Sequence, residues 1–206
     1  MQEVALVLLS TVLVNNVLLA QTLGVSSLLG MSAQGMSAPG KSAPERSSRL
    51  DRVPGLAAAT GLLLVASAAV NHLLYHWLLV PLDLGYLALP VFVLVIVLAT
   101  QLMLTGSRRL DLRYHRNLKT LQPLLMANAA ILGVTLLNVA DTSSLALAIL
   151  RALGAGVGFS VVLVLFAGLR EQLTAAAMPA PFRGPAIAMI SAGLMALAFM
   201  GFVGMV

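Results

Sequence analysis

Residues 88–105 read ALPVFVLVIVLATQLMLT, and the next fourteen, 106–119, read GSRRLDLRYHRNLK. The first stretch carries no charge; the second carries five Lys or Arg. Roughly 20 apolar helical residues cross a hydrocarbon core of about 30 Å, so the first stretch has the length of a transmembrane helix. A basic link directly behind it marks one face of the bilayer, where positive charge is retained. The same pairing of apolar run and short link recurs along the chain. It predicts helices near 4–31, 54–79, 88–105, 120–140, 145–169 and 185–205.

Composition agrees with this reading. Hydrophobic residues make up 60% of the 206 positions and charged ones 9%, too few charges to cover the surface of a water-soluble domain. The net charge of +5 does not point to nucleic acid, because the basic residues sit in links between apolar stretches rather than on one solvated face. No cysteine is present, which excludes disulfides, thiolate metal sites and thiol nucleophiles within this chain. The first apolar segment is too long to read as a cleavable signal peptide.

The links alternate in charge. Lys41, Arg46, Arg49 and Arg52 lie in the first (32–53), and Arg108, Arg109, Arg113, Arg116 and Lys119 in the third. Arg170 and Arg183 lie in the fifth (170–184). The second link, around 80–87, has Asp83 and no base, and the fourth, around 141–144, has none either. Eleven of the twelve basic residues thus fall on alternate links, with Arg151 the exception. The positive-inside rule then puts both termini on the outer, periplasmic side and the odd-numbered links in the cytoplasm. The expected architecture is one all-α, multi-pass membrane domain over residues 1–206. Within the first link, GMSAQ, GMSAP and GKSAP (residues 30–44) form a crude pentapeptide repeat. Such a tract buries too little apolar area to fold and reads as a flexible cytoplasmic linker, with docking of a soluble partner as the alternative.

Polar side chains inside spans are the functional candidates, since hydrocarbon offers them no partner. Asn15 and Asn16 in the first segment and Asn128 in the fourth are therefore read as an intramembrane polar lining. The uncharged stretch between Glu3 and Lys41 exceeds one simple crossing, which predicts a broken or bent helix around Gly24–Gly30. Ser26 precedes Gly30 by four residues, as Ala129 precedes Gly133, and each stretch ends in Leu-Gly. With three helices between the two starts, the copies cross in opposite directions. They imply two inverted three-helix repeats, about 1–105 and 120–206, meeting near mid-membrane. Chance recurrence of small residues in packed helices is the competing explanation.

Other features are weaker. His72 and His76 lie four apart on one helical face, the spacing of paired metal or haem ligands, which leaves a haem- or quinone-binding anchor as a third reading. Beside Tyr75 and Trp77 they equally read as hydrated members of an aromatic belt, and no metal site is predicted. Gly154, Gly156 and Gly158 resemble a dinucleotide loop, but no strand precedes them, so close helix packing is expected. Arg151 either snorkels outward or pairs with Asp141. All seven acids lie in links or at helix ends, so no catalytic residue and no buried carboxylate relay is expected of this chain alone.

Several ordered stretches carry a family resemblance. They are Leu13–Asn16 with Gln21–Gly24, PLDLGY at 81–86, VFVLVI at 91–96, and Asn128 with Leu132–Val134. GAGVGFSVVLVLFAGLRE at 154–171 and PAPFRGPAIAMISAGLMALAFMGF at 179–202 are the most specific. Together they resemble the A-type membrane subunit of the Rnf electron transport complex and its counterpart, the E subunit of the sodium-pumping NADH:quinone reductase. The resemblance implies a six-helix inverted repeat in the bacterial inner membrane. It implies a homologous partner of opposite orientation (the Rnf E or Nqr D type) and further flavin- and iron–sulfur-bearing subunits. It also implies a role in a redox-driven, ion-translocating assembly of the ferredoxin/NAD type. In the family each half is understood to supply one cysteine to a two-iron cluster shared between the paired subunits. Those cysteines fall here at Ser26 and Ala129, so this chain alone binds no such cofactor, and the cluster expected at the subunit interface is in doubt. A redox-independent transporter or channel on the same scaffold is the alternative.

Overall fold

The computed structural model describes residues 11–12, 16, 19, 23, 52–107, 122–141, 144–175 and 185–201. The expected helix over most of 4–31, the bend at Gly24–Gly30, residues 32–51 of the linker and most of the third and fifth links lie outside the described residues. Those described form helices and turns with no strand. Helix α1 runs Arg52–Leu74 and continues as a π-helical turn, Tyr75–Leu79. A short 3-10 turn at Gly85–Leu87 leads into α2, Ala88–Ser107. Then follow α3, Ala129–Asp141, α4, Leu145–Ala175, and α5, Pro185–Met200.

Proline opens three of these helices: Pro54, Pro90 and Pro185 each fall in a first turn. The missing N–H has no intrahelical partner there, and the fixed φ is already helical. Among the described residues, four segments are long and apolar enough to cross a membrane: Val53–Leu79, Gly85–Ser107, Gln122–Ala140 and Leu145–Leu173. They match the second to fifth predicted spans. The sixth, at Pro185–Met200, is apolar but 16 residues long over its described part.

The turn between the first two described spans is tightly made. Leu84 N–H donates to Leu79 O at 2.9 Å and Asp83 N–H to Val80 O at 3.2 Å. Asp83 adopts φ 54°, a left-handed conformation that Asp tolerates better than most residues.

The core forms between α1, α3 and α4. Leu56, Ala59 and Leu63 on α1 face Ala152, Ala155, Phe159, Val162, Leu163 and Phe166 on α4, with Ala130, Ile131 and Val134 of α3 beside them. Spacings of three and four residues put each set on one face of its helix. At the α1–α4 crossing, Gly61 meets Gly156: a Cβ on Gly156 would lie 3.2 Å from Gly61 Cα. Helices in lipid gain little from hydrophobicity alone, so glycine-to-glycine contact of this kind permits the dispersion packing that holds them. Beside the connection between α3 and α4, Asn138 Nδ2 donates to Ala148 O at 3.0 Å, tying the two helices together.

Candidate functional site

The fourth span is not continuous. A helical turn over 122–126 stops at Ala127–Asn128, and α3 restarts at Ala129. Ala127 N–H still reaches Pro123 O at 3.1 Å, but Asn128 N–H makes only a 3.4 Å contact with Leu125 O. Asn128 then caps the new helix, its Oδ1 accepting from Ala130 N–H at 3.1 Å. Asn is among the best residues for this task, because its short side chain reaches the free amides of the first turn. The sequence pattern, read as one helix over 120–140, misses this break. Its signal is present nonetheless: a polar Asn directly before an apolar run, five residues after a proline.

The restart creates a helix N-terminus about 10 Å into the span, with the positive end of the helix dipole there. Ala129 is its first residue and is exposed on this chain. Asn128 is 2% exposed, and its Nδ2 has no hydrogen-bond partner. One turn further on, Gly133 accommodates the first segment: a Cβ there would run into Leu23 Cδ1. A larger residue at Gly133 would have to displace that Leu23 side chain.

The first segment touches α4 as well. Asn16 is buried, its Nδ2 donates to Val12 O at 2.9 Å, and it lies against Gly158. A Cβ on Gly158 would sit 2.9 Å from Asn16 Nδ2 and 3.0 Å from Val12 O. The Gly156 and Gly158 positions of the glycine-rich stretch thus serve helix packing, as expected.

Of the predicted site residues, Asn16, Asn128 and Ala129 are placed, while Asn15 and Ser26 lie outside the described residues. The structure brings Leu23, three residues before Ser26, against Gly133, four after Ala129. Further buried polar groups escape the sequence reading: Thr60 and Asn71 on α1, and Thr135 and Asn138 on α3. Thr135 Oγ1 donates to Ile131 O at 2.8 Å, but Thr60 Oγ1 and both amide atoms of Asn71 have no partner. Their signal is weak, because single Thr and Asn residues within apolar helices read as ordinary back-bonding or packing positions.

The donors here do not fit an iron–sulfur cluster. Ala129 presents a methyl group at the helix start, the chain has no cysteine, and no group of three or more His, Asp or Glu gathers among the described residues. The arrangement offers amide donors and a helix dipole, but no thiolate.

Comparison with known proteins places this architecture. Residues 46–206 match the family described as "Rnf-Nqr subunit, membrane protein". The chain is 44% identical over 160 residues to the A component of the ion-translocating oxidoreductase complex of Shewanella piezotolerans, covering 78% of this chain and 83% of that protein. The proteins of the same name in Shewanella oneidensis and Pseudoalteromonas translucida are similar to the same degree and over the same shares. The chain belongs to the Rnf-Nqr family of membrane subunits.

Proposed function

We propose that this chain is a membrane subunit of an Rnf-type, ion-translocating electron transport complex in the bacterial inner membrane, without a cluster-ligand pair of its own. On this reading it consists of two inverted three-helix repeats with periplasmic termini. It pairs with a homologous subunit of opposite orientation and works beside flavin- and iron–sulfur-bearing partners. The observation that carries the reading is the capped restart of α3 at Ala129, packed through Gly133 against Leu23 of the first segment. A cysteine at such a helix start would have its thiolate favoured by the dipole, which explains why relatives would use this place for a ligand. Alanine keeps the helix start and abandons the ligand. The chain then acts as scaffold, ordering its partners on both faces, and carries no catalytic residue.

The unpaired buried atoms of Thr60, Asn71 and Asn128 favour a second reading, a redox-independent transporter or channel. Isolation of the native assembly with iron, sulfide and flavin analysis separates the two. Flavin- and iron–sulfur-bearing partners in stoichiometric amounts are the expected result. Isolation of the chain alone, together with ion or solute flux in liposomes that contain nothing else, would reject the first reading and establish the second.

A further inference from the structure

The end of α1 remote from Arg52 concentrates polar atoms that the chain leaves without partners. Asn71 is fully buried, and neither its Oδ1 nor its Nδ2 is hydrogen-bonded. His72 is 3% exposed, and its Nδ1 is buried and unpartnered. The sequence pattern allows a hydrated histidine here; burial removes that option for His72 within this chain. A polar atom buried without a partner is costly in a protein interior and more so in lipid, so this end of the helix has unused capacity for a ligand.

His76 stands beside it. The two imidazole centroids are 4.3 Å apart with ring planes inclined by 33°. His76 Nδ1 lies 3.1 Å from His72 O. A carbonyl oxygen only accepts, so Nδ1 carries the proton and the lone pair of His76 is on Nε2. A metal-binding imidazole is fixed in the same way, by donating its other nitrogen to a carbonyl. The helix changes here from α to π, with Val80 N–H donating to Tyr75 O at 3.0 Å, and π-turns of this kind gather at functional sites.

We propose that His72 and His76 form a two-imidazole site for a late first-row transition-metal cation, of the copper(II) or zinc class. Two histidines four apart on one helical face are a known metal-binding spacing, and imidazole suits these borderline ions. Each histidine contributes one ring nitrogen. The ion supplies the partner that the buried ring nitrogen of His72 lacks. Haem is a poor fit, because two axial imidazoles face each other end-on across a porphyrin, whereas these rings lie side by side at 4.3 Å. No third His, Asp or Glu joins the pair among the described residues, so the remaining coordination positions fall to ligands other than these. The site is independent of the chain's role in a larger assembly.

The reporter is built in: Trp77 is the only tryptophan of the chain, directly follows His76 and is 80% exposed. The full chain, purified in detergent without a polyhistidine tag, is titrated with copper(II) while Trp77 fluorescence is followed. Saturable quenching at one ion per chain is expected. H72Q and H76Q should each raise the midpoint about tenfold or more, since ligand loss costs at least as much as loss of an outer-shell partner. H115Q, which removes the third histidine, should leave the midpoint unchanged. Electron paramagnetic resonance of the copper-loaded wild-type chain should show coupling to two nitrogens and decides the matter even where a variant fails to fold. Fewer than two coupled nitrogens, unsaturable quenching, or a midpoint indifferent to both H72Q and H76Q would overturn the assignment.

Discussion

Helices α2 and α4 both qualify as membrane spans, yet they stand in opposite relation to the rest of the molecule. In its most apolar stretch α2 is 22% buried, whereas α4 is 50% buried, although α4 carries Arg151, Arg170 and Glu171 and α2 has no charge at all. Leu89, Val93, Leu94, Leu98 and Leu102 of α2 are exposed. On α4, Gly156 and Gly158 let Gly61 and Asn16 come into contact. In water the more apolar helix would be the one inside. In lipid, hydrocarbon outside is as apolar as leucine inside, so burial goes to the helix whose small residues allow close approach.

The strongest way to break this contrast is to remove the small residue. Gly158→Leu is expected to cost about 3 kcal/mol or more, because its Cβ meets the Val12 backbone at 3.0 Å and Asn16 at 2.9 Å, and backbone cannot yield as a side chain can. Thermal unfolding in detergent should show a clear loss, and an unchanged midpoint would mean the first segment does not pack there. Gly156→Val presses on Gly61 Cα at 3.2 Å and should cost about 1–3 kcal/mol by the same assay.

Polar contacts on α3 come next. Asn128→Ala removes the cap on Ala130 N–H and should cost about 1 kcal/mol, whereas Asn128→Ser keeps an acceptor, discards the unpaired Nδ2, and should stay close to wild type. Equal losses in the two variants would show that the cap is not what matters. Asn138→Leu deletes the bond to Ala148 O and is expected to cost about 0.6 kcal/mol, the usual scale for a hydrogen bond between membrane helices. The smallest effect belongs to α2: Leu94→Ala and Leu98→Ala should stay within about 0.5 kcal/mol of wild type, and a larger loss would place this face against protein in the isolated chain.

The spans were legible because length and the absence of charge are all that a helix needs to cross a bilayer. Four predicted segments meet their observed counterparts with boundaries shifted by a few residues, the largest shifts at α2, whose span opens at Gly85, and at α4, which runs on to Ala175 past Arg170 and Glu171. The break in the fourth span was not legible as such, since Gln122–Ala140 is apolar enough to read as one helix. Its cause is a competition between Asn128 serving as an interior residue and serving as a cap, and periodicity does not resolve that. The candidate site was half legible. Asn16, Asn128 and Ala129 stand out in sequence, but Asn71 and His72 become notable only once burial leaves their polar atoms without partners.

Sequence by itself determined that this protein lives in a membrane, where its spans run, which family it belongs to, and that no thiolate stands at Ala129. Those properties follow from counts, lengths and the chemistry of single side chains. Tertiary structure decided which apolar helix is inside, where α3 begins, and which polar groups go unpaired. The reason is physical: in a bilayer, neighbours at a distance in sequence set the packing, and a side chain's partners exist only after the helices have met.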